Sequence, residues 1–453
     1  MLTLSQILVI AIFMGVLISI ILGRLRRYVS ALIGAALIFI VVFTIVLKSP
    51  GMALGVLNIG QIGHFSFWIP GQERIVSHGV NWQTIIFIAG MMTMVEGLGA
   101  VGFFRWLCLY LARMVHYRVV PILIVFMLLS GFLAMFVDSI TVLLFLTSVT
   151  IELARLLKFD PIPVIIAEVF AANTGGSATM AGDPPNIIIG TSLGYHFADF
   201  AVNTGLIAWA GMAVALGFFY FRFRKVLTAQ QSNPGDPPNQ YPAPREAIVN
   251  PRLFKIQAGI FILVVALLVT HAQSGLSVAM VGCIGAAATL LATGRGALHI
   301  IRRVDWQTLL FLIGLFICVG GLEEAGVLSM FAGYIGDISR GNIQLAIPLI
   351  LWVSAFISAV VDNIPFAAAM VPVITHLSQA TSLKLPSLAW ALALGTDIGG
   401  NATPIGASAN VVATAIAKRH GYRIRWGRFL RYALPAMIIV VALCHLILIL
   451  RYT

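Results

Sequence analysis

Gly175-Gly176-Ser177-Ala178-Thr179 recurs 224 positions later as Gly399-Gly400-Asn401-Ala402-Thr403. Working outward at the same spacing, Asn186 recurs as Asn410, Asp138 as Asp362, and Asn81-Trp82-Gln83-Thr84 as Asp305-Trp306-Gln307-Thr308. More than 100 residues align without a gap. Chance likeness between apolar stretches would not keep polar residues in register over that distance, so the chain carries an internal duplication.

Of the 453 residues, 60% are hydrophobic and 10% charged, and the mean hydropathy is +1.00. An ordinary soluble domain has about 25% charged residues; this chain has too few to clothe a soluble core. A soluble enzyme, a secreted module and a disordered chain are excluded. The net charge of +12 reads as Lys and Arg held in cytoplasmic loops, not as a nucleic-acid surface. Cys108, Cys283, Cys318 and Cys444 are scattered; they show neither metal-ligand spacing nor a disulfide framework. No cofactor motif is present. The first apolar run, Leu4 to Leu22, lacks a basic leader and a small-residue cleavage site, and reads as a retained span.

A bilayer core of about 30 Å needs roughly 20 apolar residues in a helix. The hydropathy pattern predicts about ten crossings and two segments of another kind. Val119 to Val137 and Ser139 to Leu153 are apolar arms that meet at Asp138, with Arg118 at one outer end and Arg155 and Lys158 at the other. Basic residues at both ends place both on the cytoplasmic side, so the segment enters and returns as a re-entrant hairpin. The run that follows is interrupted at Asn173 to Ser177 and at Gly182-Asp183-Pro184-Pro185-Asn186, where Gly and Pro unwind a helix.

The expected fold class is an all-α polytopic membrane protein of two inverted repeats, each with about five crossings, a re-entrant hairpin and a broken helix. The first repeat spans residues 1–221, with its hairpin at 119–157 and broken helix at 162–193. The linker 222–254 is polar and Pro-rich, and is expected to be cytoplasmic. The second repeat spans 255–453, with its hairpin at 343–380 and broken helix at 386–415. Five crossings is an odd number, so the halves point oppositely and both termini lie outside. The protein is expected to be multi-pass in the cell inner (plasma) membrane.

If the hairpin tips meet the breaks, four polar groups converge at mid-membrane. They are Asp138-Ser139 with Thr141; Asn173 to Thr179 with Asp183 and Asn186; Asp362-Asn363; and Asp397 to Thr403 with Asn410. A carboxylate in hydrocarbon costs at least about 2.5 kcal/mol, so Asp138 and Asp362 are candidate proton or cation carriers. Candidate substrate contacts are Ser139, Thr141, Asn173, Gly175, Gly176, Thr179, Asp183, Asn186, Asn363, Asp397, Gly399, Gly400, Asn401, Thr403 and Asn410. Blander roles stand beside these: Asp138 and Asp362 as helix caps, the hydroxyls and Asn363 as backbone partners, the glycines as packing or unwinding sites. Gly-Asp-Pro-Pro-Asn also occurs at Gly235 to Asn239 in the linker, so only its place beside the Gly-Gly break gives it weight. Glu96, Glu152 and Glu168 have no acidic repeat partner and read as structural, and His64, His78 and His196 as solvated outer-loop residues.

At these residues the chain resembles the ion-transporter superfamily of arsenite/antimonite efflux permeases, P-protein permeases, silicon efflux carriers, NhaD-type sodium/proton antiporters and divalent anion/sodium symporters. The resemblance rests on Phe136 to Gly190, including Ala167-Glu168-Val169 and Gly182 to Asn186, and on Asp362-Asn363-Ile364-Pro365 and Thr403-Pro404-Ile405-Gly406. It implies a scaffold, a mobile transport unit carrying both hairpins, and a homodimer. For an arsenite pump it also implies a cytoplasmic ATPase subunit. Divalent-anion symporters place Ser-Asn-Thr at their tips; here the tips carry carboxylates, which would repel a dicarboxylate. The expectation is proton-coupled efflux of a small inorganic solute, arsenite or antimonite first, through oxygen ligands. Sodium/proton antiport and anion permeation of P-protein type are the alternatives. No nucleophile–base pair suggests an enzyme.

Overall fold

The structure, a computed structural model, describes residues 3–70, 79–230 and 242–453. His78 and the linker motif at Gly235 to Asn239 lie outside the described residues. Among those described, nine helices are long and apolar enough to cross a membrane, beginning with Leu4–Leu22, Arg27–Val46 and Trp82–Ala100 and ending with Trp426–Tyr452. The protein is an all-α polytopic membrane protein.

Between Trp82 and Leu193, helix starts recur in the second half 224 residues later to within one residue. Trp82–Ala100 matches Trp306–Glu324, Phe103–Met114 matches Val327–Ser339, and Val119–Ala134 with Ser139–Leu157 matches Ile343–Ser358 with Asn363–Ala380. Ile162–Gly176 and Pro184–Leu193 match Leu385–Gly399 and Ser408–Arg419. Each hairpin arm after the tip starts under an Asp cap: Asp138 accepts from the Thr141 amide and Asp362 from the Ile364 amide.

The halves are interlocked. Arg27–Leu37 of the first packs on Trp306–Glu324 of the second, and Val278–Thr293 of the second on Trp82–Ala100 of the first. Matched glycines permit both crossings: a Cβ at Gly90 would meet the Gly282 backbone, and one at Gly314 would meet the Ala31 backbone at 2.7 Å. The hairpins exchange too. Ser139–Leu157 packs on Ser408–Arg419, and Asn363–Ala380 on Pro184–Leu193. Hairpins and broken helices thus form one body, with the crossed pairs beside it.

Candidate functional site

Both breaks are built by the same bonds. The Thr179 hydroxyl donates to the Met135 carbonyl at 2.5 Å, and Thr403 repeats this with Ala359 at 2.5 Å. The Asn186 amide nitrogen donates to the Gly176 and Thr179 carbonyls at 3.0 and 3.1 Å. Asn410 does the same with Gly400 and Thr403, both at 2.8 Å. These bonds satisfy carbonyls freed where the helix unwinds, as backbone inside a bilayer requires. The glycines let the pieces meet: a Cβ at Gly175 would strike the Gly131 backbone, and one at Gly399 the Ala355 backbone. At Gly176 it would meet the Asp183 carboxyl at 2.8 Å, and at Gly400 the Ala407 methyl at 3.2 Å.

The polar core lies where the broken helices touch. Asn173 donates to Asn401 Oδ1 at 3.0 Å and to Asn410 Oδ1 at 2.9 Å. Asn401 reaches Thr174 Oγ1 at 3.3 Å. The equivalent of Asn173 in the second half is Asp397, whose Oδ1 accepts from Asn363 at 3.4 Å. Asp183 accepts from the Ser139 amide at 3.4 Å, and its equivalent is Ala407. Asp183 and Asp397 are buried and within electrostatic reach of each other. No Lys or Arg among the described residues pairs with either. Among the buried oxygens of the described residues that lack a hydrogen-bond partner, four lie here: Asp397 Oδ2, Asn173 Oδ1, Asn186 Oδ1 and Ser139 Oγ.

The tips differ. Asp138 takes the Thr141 amide at 3.0 Å and hydroxyl at 2.7 Å. Asp362 pairs with Arg27 and accepts from Ser408 Oγ at 2.8 Å; Arg27 also donates to Ser408. Sequence reasoning misses Arg27, which is counted only among the Lys and Arg assigned together to cytoplasmic loops. Its partner is 335 positions away, so no local pattern could have shown the contact. Ser408 was missed for the same reason. Thr141, Thr179, Thr403 and the four glycines shape the site; the other expected residues supply its polar lining.

Where this body meets the crossed pairs, the two ends are unlike. Asn81 donates to Thr191 Oγ1 at 2.9 Å and Ser192 Oγ at 3.1 Å. Its repeat equivalent, Asp305, bonds only within its own turn and is exposed. His196, expected to be solvated, is half-buried instead, with Nδ1 3.1 Å from His271 Nε2.

The sequence profile of the family described as Citrate transporter (CitMHS) matches residues 16–395. A 46 kDa membrane protein of Mycobacterium leprae is 33% identical over 389 residues, covering 85% of this chain and 90% of that protein. An uncharacterized transporter of Mycobacterium tuberculosis is 34% identical over 390 residues, with the same 85% and 90% coverage. The P protein of Homo sapiens is 29% identical over 506 residues, covering 92% of this chain and 59% of that protein. The crystal structure of the Alcanivorax borkumensis YdaH transporter, described as having an unusual topology, covers 98% of this chain and 97% of its own. Its TM-score is 0.58 at 12% identity, which speaks for a shared fold alone.

Proposed function

This chain belongs to the Citrate transporter (CitMHS) family and is a membrane transporter, and we propose that it exports a small inorganic solute, arsenite or antimonite first, in exchange for protons. The observation that supports this reading is the acceptor-rich lining: Asp397 Oδ2, Asn173 Oδ1 and Asn186 Oδ1 are buried acceptors without a partner, beside the Ser139 hydroxyl, which can donate or accept. A neutral hydroxide brings O–H donors to such a lining. A citrate anion brings more acceptors to meet Asp183 and Asp397, and the Arg27 guanidinium is spent on Asp362 and Ser408. A permeating anion would meet the same repulsion. The four free cysteines are dispersed, so arsenic would be held through oxygen.

In this reading the carboxyls at the tips, Asp138 and Asp362, take part in coupling. The unit of roughly 119–193 and 343–413 moves as one rigid body, because separating its bonded polar groups inside the bilayer would cost several kcal/mol for each one left unpaired. With the basic loops inside, the plasma membrane as the location and 222–254 cytoplasmic, the bonded Asn81 end faces outward and is closed. The Asp305 end faces the cytoplasm and is open. A homodimer and a cytoplasmic ATPase subunit remain the partners of this scheme.

Sodium/proton antiport is the second reading, favoured by one specific feature: hard oxygen ligands beside two carboxylates suit a hard cation. Proteoliposomes loaded with a pH-sensitive dye separate the two. Proton movement on adding arsenite supports the first, and movement on adding sodium alone supports the second. Movement with neither defeats both. Crosslinks between the moving unit and the scaffold should stop transport, and full-rate transport with such a crosslink would refute the rigid-body step.

A further inference from the structure

The repeat sets up a comparison at single-atom level. At one of two equivalent contacts between the halves, Asn173 donates an amide hydrogen to Asn410 Oδ1 at 2.9 Å. Asn410 is oriented beyond doubt of a flip, because its NH2 group is spent on the Gly400 and Thr403 carbonyls. Asn186 is held identically by the Gly176 and Thr179 carbonyls, so its Oδ1 also points away from the loop. The residue placed to serve it is Asp397, the equivalent of Asn173. An ionised carboxylate has no hydrogen to give. Asn186 Oδ1 and Asp397 Oδ2 are both left buried and unpartnered, although the two side chains are within interaction range. Leaving a buried acceptor unsatisfied carries a desolvation cost, from which Asn410 Oδ1 is spared by Asn173.

We propose that Asp397 carries the coupled proton, binding it on Oδ2 and donating it to Asn186 Oδ1. The proton takes the place of the amide hydrogen that Asn173 supplies in the other half. Uptake forms one O–H bond at Asp397 with a proton from water on the side to which the site is open. Release breaks that bond and returns the proton to water on the opposite side after the unit has moved. Asp183 is the charged neighbour acting on Asp397. Asn363, from the second hairpin, donates to the other carboxyl oxygen, and Asp362 next to it is neutralised by Arg27. Among the described residues no Lys or Arg pairs with Asp397, whereas Asp362 is paired with Arg27. The coupling carboxyl is therefore at the break, where the repeat loses its symmetry, and not only at the matched tips.

This inference rests on the proton-coupled reading above, and its test separates the two. Dicyclohexylcarbodiimide modifies a carboxyl in its protonated form in apolar surroundings. The full chain in sodium-free proteoliposomes is treated over a range of pH, and its peptides are analysed by mass spectrometry. The expected result is a label on Asp397 that grows as pH falls and is absent from D397N. In N173D/D397N, which exchanges the two side chains between halves, the label should move to position 173. A wild-type Asp397 that stays unlabelled from acid to alkaline pH overturns the proposal whether or not the variants fold. Arsenite-driven proton movement in vesicles whose Asp397 is unlabelled overturns this proposal alone. A label on Asp397 in treated vesicles, together with no arsenite-driven proton movement in untreated ones, upholds the proton site and overturns the arsenite reading.

Discussion

At the first hairpin tip, Asp138 closes the helix after it through Thr141 and meets no cation among the described residues. At the second, Asp362 closes its helix through Ile364 and also holds Arg27 and Ser408. Residue type, repeat position and capping role are the same, so the difference comes from outside the local segment. Arg27 belongs to a scaffold crossing whose partner is in the other half, and position 408 is Pro184 in the first half, which has no hydroxyl to offer. A duplicated sequence keeps its backbone work and lets the charge chemistry diverge.

Four substitutions would break or sharpen that contrast. The largest effect is expected for R27Q. Breaking a buried pair costs about 3–5 kcal/mol, and partial exposure of Arg27 reduces this to about 2 kcal/mol. Thermal unfolding in detergent should show it, with R27Q/D362N losing less than the sum of the single changes; strict additivity would mean that the pair contributes nothing. S408A comes next. It removes one hydrogen bond to a charged group, about 1.5 kcal/mol, and no change in melting temperature would assign Asp362 to Arg27 alone. T141V removes the hydroxyl bond to Asp138 and keeps the amide cap, for a loss of about 0.5–1 kcal/mol. D138N should be nearly silent in stability, within a few tenths of a kcal/mol, because Asn caps about as well as Asp. A melting temperature as low as that of R27Q would reveal an ionic role at the first tip that the structure does not contain. Dye-loaded vesicles then ask the functional question of the same variant: if D138N and D362N both keep wild-type pH-dependent flux, the tips are caps only.

How much could be read from the chain alone follows from the same contrast. The hairpins, the breaks and the loop-closing asparagines are local, and their Gly, Asn and Asp signals stand in register twice. The crossed pairing of Arg27–Leu37 with Trp306–Glu324 has no such signal, because Gly314 facing Ala31 is one glycine among many. The equivalence of Asn173 and Asp397 was visible as letters, yet its meaning needed the bonds: only the orientation of Asn186 and Asn410 shows that one side lacks a hydrogen. His196 misled because an outer-loop histidine looks solvated until His271 is seen beside it.

The crossed pairs also govern the order in which the chain can be made. Arg27–Leu37 cannot meet Trp306–Glu324, nor Trp82–Ala100 meet Val278–Thr293, until the later member has left the ribosome. The early crossings must therefore wait in lipid as separate helices, with their packing glycines facing acyl chains. Contacts of such long sequence separation make assembly slow, and an interrupted chain would remain as inserted helices without a scaffold.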